Sequence, residues 1–328
     1  MKAVVITGPG TIEVIEEDDP TPGLEDVVIA VASCGICGTD LHILDGDYTA
    51  LPIIPGHEFA GTIVALGPDV DWLRVGDRVA ADPNLPCRRC YECRRGRGNL
   101  CEDLNAIGVT KPGAAAELVC VPAENCFVLS DSVEPADASL IEPLSCAVRG
   151  FDVLKARLAD NFLIYGAGTM GLMNLQLAKQ AGAASVSIVD VNPLRLETAR
   201  LLGCTAAVTD ADELDRSRGW DVVIDCTGAL AAIEDGLARV GKGGTFLQFG
   251  VTVPDGEVGV SPYRIYHEEI TITGSMAVLN SYQRAGELFA TGLIDPEVFI
   301  TDRFAIRDYE VAVERMRSGV GCKVLVVP

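Results

Sequence analysis

The pattern of apolar and polar positions divides the chain into two regimes. Over residues 161–190, "NFLIYGAGTMGLMNLQLAKQAGAASVSIVD", an unbroken apolar run from Phe162 to Tyr165 predicts a buried strand. It stops at a glycine-rich turn, after which apolar residues recur at helical spacing. A second β-rich run, "SVSIVD", ends at Asp190. The segments "WDVVIDCTG" (220–228) and "GGTFLQFGV" (243–251) predict two further strands of the same sheet. Between them, "ALAAIEDGLARVGKG" predicts a helix ended by glycine. Strand and helix alternating in this way imply a parallel α/β sheet.

The half before it is patterned differently, with short strand-like runs and many turns, beginning at "MKAVVITGPG". The join falls near residues 143–158. Beyond about residue 275 a helical pattern, "NSYQRAGELFATG", leads to a closing strand-like run, "CKVLVVP". That tail is too short to fold alone and is expected to pack on the first half. The expected division is 1–147 with 275–328 against 148–274, which suits a chain of 328 residues.

The interrupting turn is Gly166-Ala167-Gly168-Thr169-Met170-Gly171. Glycine-rich turns are common, and a lone G-x-G-x-x-G says little. This one follows a strand, opens a helix, and precedes an acidic residue 19 positions after its last glycine. Those contexts point to a Rossmann dinucleotide site, in which Gly166, Gly168 and Gly171 let the backbone and the helix N-terminus approach a pyrophosphate. Asp190 would take the adenosine ribose hydroxyls and repel a 2′-phosphate, favouring NAD over NADP. Arg195 could instead reach a phosphate, or is a solvated helix residue.

The first half holds the metal-ligating side chains. Cys87, Cys90, Cys93 and Cys101 follow C-x2-C-x2-C-x7-C. Such short links let thiolates converge on one tetrahedral ion about 2.3 Å from each sulfur. Four thiolates fill zinc's coordination sphere, so such a site staples a loop and does no chemistry. Free surface thiols and an iron–sulfur cluster are the alternatives. Arg88, Arg89, Arg94, Arg95 and Arg97 would offset the charge of a four-thiolate centre.

Upstream, "SCGICGTDLHILDGDYTALPIIPGHEFAGTIVALG" (33–67) contains two of the three histidines. Cys37, His57 and Glu58 offer one soft, one borderline and one hard ligand, a mixed set that leaves a position open, as catalytic zinc requires. Alone, His57 would read as a satisfied structural histidine; its neighbours change that. Asp40 could accept a hydrogen bond from its far nitrogen. Thr39 and His42 supply a hydroxyl and an imidazole, the parts of a proton relay. Cys34 is expected to be a small core residue, and His267 to be structural.

Composition removes some functions. With 26 basic and 47 acidic residues the formal charge is −21, which repels phosphate backbones, and no nucleic-acid partner is expected. No apolar run approaches the ~20 residues of a spanning helix, and the N-terminus lacks the pattern of a signal peptide. A soluble, cytoplasmic protein with no membrane partner is expected, and there clustered cysteines are metal ligands rather than disulfides.

Taken in order, "CGICGTDLH", "GHEFAG", "GDRVA", the four-cysteine lobe, "IEPLSCAV", "GAGTMG" with Asp190, and "DVVIDCTG" span nearly the whole chain. Together they resemble the zinc-dependent medium-chain alcohol dehydrogenases, most closely the sorbitol (polyol) and threonine dehydrogenase branch. The resemblance implies an α/β protein with a GroES-like, mainly-β catalytic domain and a Rossmann doubly wound parallel-sheet domain, and an active site in the cleft between them. It implies a catalytic zinc on Cys37, His57 and Glu58, a structural zinc on the four clustered cysteines, and a homodimer or homotetramer. Glu142 of "IEPLS" would be an additional carboxylate that exchanges with water. Thr169 and Met170 fall in the cofactor turn, and Arg195 lies where the family places a cation near the ribose.

The implied reaction is reversible hydride transfer between NAD and a secondary alcohol, polyol- or cyclitol-like, with the corresponding ketone as product. The proton would leave through Thr39, the cofactor ribose and His42, or near Glu142. The alternatives are amino-alcohol oxidation of the L-threonine 3-dehydrogenase kind and a non-catalytic NAD-sensing zinc protein. Polyol members of the branch carry a tyrosine where this chain has Ile43, and an arginine–tyrosine pair where it has Ala277 and Val278. Three polar substrate contacts are thus expected to be apolar, which weighs against sorbitol itself.

Overall fold

Two units make up the chain, Met1–Ser145 with Val278–Pro328, and Cys146–Ala277. The structure is a computed structural model describing residues 1–47 and 50–328.

In the second unit six strands run parallel in the order Ala206–Val208, Ser185–Val189, Asn161–Tyr165, Trp220–Asp225, Val240–Gln248, Thr271–Gly274. Counted along the unit this is the doubly wound Rossmann arrangement, reversing direction at Asn161–Tyr165. Phe162, Leu163 and Ile164 are fully buried, as expected of a strand covered on both faces. Helices Thr169–Gln180, Pro193–Leu201, Leu230–Arg239 and Pro262–Glu268 connect the strands.

One boundary differs from expectation. Helix Leu230–Arg239 is not ended by glycine; the next strand begins directly at Val240 and contains Gly241, Gly243 and Gly244. A Cβ on Gly244 would lie 2.8 Å from the Trp220 carbonyl oxygen, and one on Gly241 2.7 Å from that of Arg218. These glycines permit close approach to the neighbouring turn, where the strand register shifts, instead of capping a helix.

The turn between Tyr165 and Thr169 gives each glycine a separate task. Gly166 has φ +97°, a left-handed conformation that side chains resist. A Cβ on Gly171 would sit 1.7 Å from the Gly166 carbonyl oxygen. Gly168 is the N-cap of helix Thr169–Gln180 and supplies no side-chain cap, so the first amides of the helix remain available to an anion.

The first unit is built on a seven-stranded sheet. Its order is Ile300–Ala305, Lys323–Val327, Asp26–Gly35, Glu58–Leu66, Arg78–Ala81, Cys126–Val128, with Leu118–Pro122 also paired to Asp26–Gly35. All pairs are antiparallel except the first. Cys34, Phe59, Ile29 and Ile63 join one core, while Val4, Ile6, Ile43, Val324 and Val326 join another. The chain's end thus completes the sheet begun near its start. Because side chains alternate along a strand, seating Val324 and Val326 in the second core turns Lys323 and Leu325 to the other face. No helix among the described residues is long and apolar enough to cross a membrane.

Gly171→Ala should cost about 3 kcal/mol, since the added methyl meets backbone that cannot move aside. Thermal unfolding would show a lowered Tm together with weakened NADH binding. An unchanged Tm would contradict this account of the turn.

Candidate active site and metal centres

Strand pairing sets Gly35 opposite Glu58 and Cys34 opposite Phe59. A Cβ on Gly35 would lie 2.1 Å from Glu58 Oε2, so glycine there makes room for the carboxylate. Just past Gly35, Cys37 forms the N-cap of helix Gly38–Asp45. The Cys37 amide donates to Asp40 Oδ2 at 2.8 Å, and the Gly56 amide donates to Asp40 Oδ1 at 3.2 Å. One buried carboxylate therefore ties the Cys37 turn to the His57 turn. Gly56 itself has φ +95°, and a Cβ there would lie 2.5 Å from Cys34 Sγ. The result is that Cys37 Sγ, a His57 ring nitrogen and a Glu58 carboxylate oxygen lie within 4.8 Å of one another.

The donor set fits a zinc ion. Thiolate, imidazole and carboxylate are all ligands zinc accepts, and three protein ligands leave a position for substrate. His57 Nδ1 is buried without a hydrogen bond, 3.7 Å from Asp40 Oδ1, which leaves the opposite ring nitrogen for the metal. Burial works against the imidazolium, but Asp40 and Cys37 outweigh it and hold the His57 pKa well above its usual value. A cation is favoured at this spot, and a bound metal would take the place of the proton. Burial pushes the Glu142 carboxyl up to about 7, with His57 opposing and Glu58 adding to the rise. Glu142 begins helix Ile141–Val153 and is itself buried.

Sequence reasoning missed Lys323. Its Nζ lies 2.6 Å and 2.8 Å from the two Glu58 oxygens and 3.2 Å from the Ile36 carbonyl oxygen, with only 3% of the residue exposed. Burial acts to lower the ammonium's pKa, but Glu58 reverses this and raises it above the usual lysine range. The signal available was a lone charge in the apolar run "CKVLVVP", because a buried charge needs a partner.

Thr39 Oγ1 is 3.9 Å from Cys37 Sγ. His42, on the same helix, is partly exposed, with Nδ1 3.4 Å from Asp47 Oδ2, a partner the sequence did not suggest. Ile43 requires a correction. It is fully buried among Val4, Ile6 and Val324 on the inner side of its helix and so does not line a substrate pocket.

Cys87, Cys90, Cys93 and Cys101 also place one sulfur each within 4.8 Å of the others. Amides donate to these sulfurs, Cys87 N to Cys101 Sγ at 3.2 Å and Cys90 N to Cys87 Sγ at 3.4 Å. Amides of Cys93 and Glu102 lower the Cys90 thiol to about 6, which favours the thiolate a metal needs. Two arginines expected to offset this charge do otherwise: Arg88 pairs with Glu124, and Arg97 with Glu92 at 2.5 Å. Arg95 lies over the Tyr91 ring and donates to its hydroxyl. Their long side chains reach outward to fixed partners, and the thiols are served by backbone donors.

In the second unit Asp190 is buried at the end of strand Ser185–Val189. It accepts from the Ala167 amide at 2.7 Å and the Asn192 amide at 2.7 Å. Arg195 Nη1 stands 3.9 Å from Asp190 Oδ2, and its guanidinium is the neighbour a Cβ on Gly168 would meet. Gly166, Gly168, Thr169, Met170, Gly171, Asp190 and Arg195 thus surround one strand–helix turn. With its uncapped helix N-terminus, that turn fits a dinucleotide.

Residues 23–131 match the alcohol dehydrogenase GroES-like domain, and residues 169–291 match the zinc-binding dehydrogenase family. The chain belongs to the zinc-binding alcohol dehydrogenases. It is 34% identical to D-arabinitol dehydrogenase 1 of Uromyces fabae, over 100% of this chain and 97% of that protein. It is 33% identical to L-threonine 3-dehydrogenase of Alteromonas mediterranea, over 94% of each. Among solved structures it is similar to a zinc-binding dehydrogenase of Sinorhizobium meliloti 1021 bound to NADP. There the TM-score is 0.96 at 33% identity, covering 100% of this chain and 99% of the other. As a zinc-binding dehydrogenase the protein is an oxidoreductase of alcohol CH–OH groups that uses zinc and a nicotinamide dinucleotide.

Lys323→Met would leave Glu58 buried without a counter-ion in the zinc-free dehydrogenase, lowering stability by about 3–5 kcal/mol. Zinc should restore much of the loss, because it supplies a cation to the same carboxylate. Calorimetry with and without zinc should show a larger zinc-induced rise in Tm for the variant than for wild type. Equal rises would show that the pair does not bear on the metal site.

Proposed function

We propose that this dehydrogenase oxidises a secondary alcohol, polyol- or cyclitol-like, with NAD. The convergence of Cys37, His57 and Glu58 within 4.8 Å, electrostatically coupled to Glu142, carries the reading. Bound there, zinc would supply a Lewis acid for the alcohol oxygen, and the nicotinamide a hydride acceptor. The chain's own groups orient and deprotonate. Asp40 fixes the turns that carry Cys37 and His57. Thr39 would accept the hydroxyl proton as it passes its own along the relay toward His42, which stands open to solvent beside Asp47 and can release it. Glu142, with its carboxyl near 7, is a second place for that proton.

The preference for NAD is supported by Asp190, whose buried carboxylate, fixed by two amides, favours ribose hydroxyls over a 2′-phosphate. Similarity to an arabinitol dehydrogenase supports the polyol class.

Cys37→Ser should reduce bound zinc from two ions to one and lower NADH formation by about a thousandfold or more. Near wild-type turnover with one zinc would exclude this role. Asp190→Ser should shift the NAD-to-NADP ratio of kcat/KM toward NADP by at least about tenfold. His42→Ala should lower kcat about a hundredfold at neutral pH, with partial rescue by imidazole in the buffer. Failure of imidazole to rescue would point to a structural role for His42.

A further inference from the structure

Two basic, glycine-containing stretches of the second unit, "RSRGWD" (216–221) and "RVGKGG" (239–244), pack on each other. A Cβ on Gly241 would meet the Arg218 carbonyl oxygen and one on Gly219 the Gly241 backbone, both at 2.7 Å, so the turns are in direct contact. Together they line a cavity of 980 Å³ at the N-terminal ends of strands Asn161–Tyr165, Trp220–Asp225 and Val240–Gln248. The dinucleotide turn Gly166–Gly171 stands at the other end of Asn161–Tyr165, about 13 Å of strand away.

Five of the chain's 26 basic residues line this cavity, in a molecule of formal charge −21. Three are fixed. Arg216 lies over the Trp220 ring, 4.8 Å from its centroid, donates to the Gly219 carbonyl oxygen at 2.7 Å and stands 3.8 Å from Asp221. Arg239 donates to Asp235 and Asp212, and Arg264 to Glu268 and the carbonyl oxygens of Leu237 and Val240. The acids in the wall are engaged as well, Glu268 by Arg264 and Asp221 by the amide and side chain of Asn161. Asp215, next to Arg216 in sequence, is not part of the wall. Arg218 and Lys242 remain. Both are exposed, and among the described residues neither has an ion pair or a hydrogen bond.

The backbone beside Lys242 is open too. Trp220 pairs with Val240 and Val222 with Thr245, so the four residues Gly241–Gly244 stand opposite Asp221 alone. Most of their peptide groups therefore lie outside the ladder. Gly243 has φ +73° and nothing within 4 Å of where its side chain would be, which lets a ligand oxygen approach the main chain. The cavity has the volume of a small-molecule site and is far larger than a single phosphate.

We propose that this cavity is a second anion site, which binds a phosphate-bearing small molecule through Arg218, Lys242 and the Gly241–Gly244 turn. A phosphate carries close to two charges and three acceptor oxygens, enough for a guanidinium fork and an ammonium at once. A single carboxylate would leave one of the two cations unmatched. A longer acidic peptide would also meet the exposed Asp212, Glu213 and Asp215 on the approach to the turn. The three fixed arginines give the site a rigid wall, so little order is lost on binding. The site does not depend on which alcohol the enzyme oxidises.

Isothermal titration calorimetry on the two-zinc protein, with NADH saturating the dinucleotide turn, tests this at physiological ionic strength. The probes are 1,3-propanediol bisphosphate, which has no free hydroxyl to oxidise, inorganic phosphate, and a hexaglutamate peptide. The bisphosphate should bind once per chain, and inorganic phosphate should compete with it more weakly. Arg218→Gln and Lys242→Gln should each weaken the bisphosphate by about tenfold or more, at unchanged Tm because both side chains are exposed and unpaired. Arg307→Gln, at an exposed cation of the first unit, should leave the affinity as it is. No binding to wild type, or equal affinity in wild type and both cavity variants, would overturn the site. An equal loss in Arg307→Gln would overturn it as well, since only overall charge would then matter. Tighter binding of hexaglutamate than of the bisphosphate, lost in the same two variants, would overturn phosphate as the ligand class.

Discussion

Lys323 and Glu58, buried against each other 2.6 Å apart, join the last strand of the chain to the candidate metal cluster of Cys37, His57 and Glu58 near its beginning. Neither charge could occupy this interior alone, because desolvation of an unpaired ion exceeds what local packing returns. The pair can form only if Lys323–Val327 lies beside Asp26–Gly35, and only if Gly35 leaves space for the carboxylate. Strand order, the absence of a side chain at Gly35 and the charge balance of the site are therefore one constraint. It also explains why the first unit is made from both ends of the sequence.

A second buried carboxylate does comparable work on the other side of the cluster. Asp40 accepts amides from the Cys37 turn and the Gly56 turn, so two loops far apart in sequence hold their ligands at a common point. Burial raises its pKa, and His57 and the two amides pull the other way. Such a site is made ready by backbone donors before any metal arrives. The cysteine lobe follows the same logic, with amides aimed at sulfur.

Net charge turns out to be a poor guide to local electrostatics. The chain is strongly acidic overall, yet its arginines are placed pairwise, Arg239 with Asp235 and Asp212, Arg303 with Asp137, and Arg88 with Glu124. A cation close in sequence to a thiolate is not thereby its partner, because a long side chain spans several residues and settles where geometry gives a bidentate or fixed acceptor.

Where side chains are gathered by spacing within a short segment, the sequence was enough to single them out. The four cysteines, the Gly166–Gly171 turn with Asp190, and adjacent His57 and Glu58 are local patterns, and periodic apolar runs announced the parallel sheet because its strands are buried on both faces. Boundaries set by close backbone approach were not legible: Gly241 and Gly244 look like a helix stop and are in fact places where a strand passes its neighbour. Nor could the sequence show that Ile43 faces the core, that Asp47 stands by His42, or that Lys323 pairs with Glu58 across 265 positions. Those facts depend on which strands pair and which face each residue takes, and pairing is decided by the burial of the whole sheet at once. Local spacing determined which donor groups gather at each site; the tertiary fold alone decided what surrounds and neutralises them.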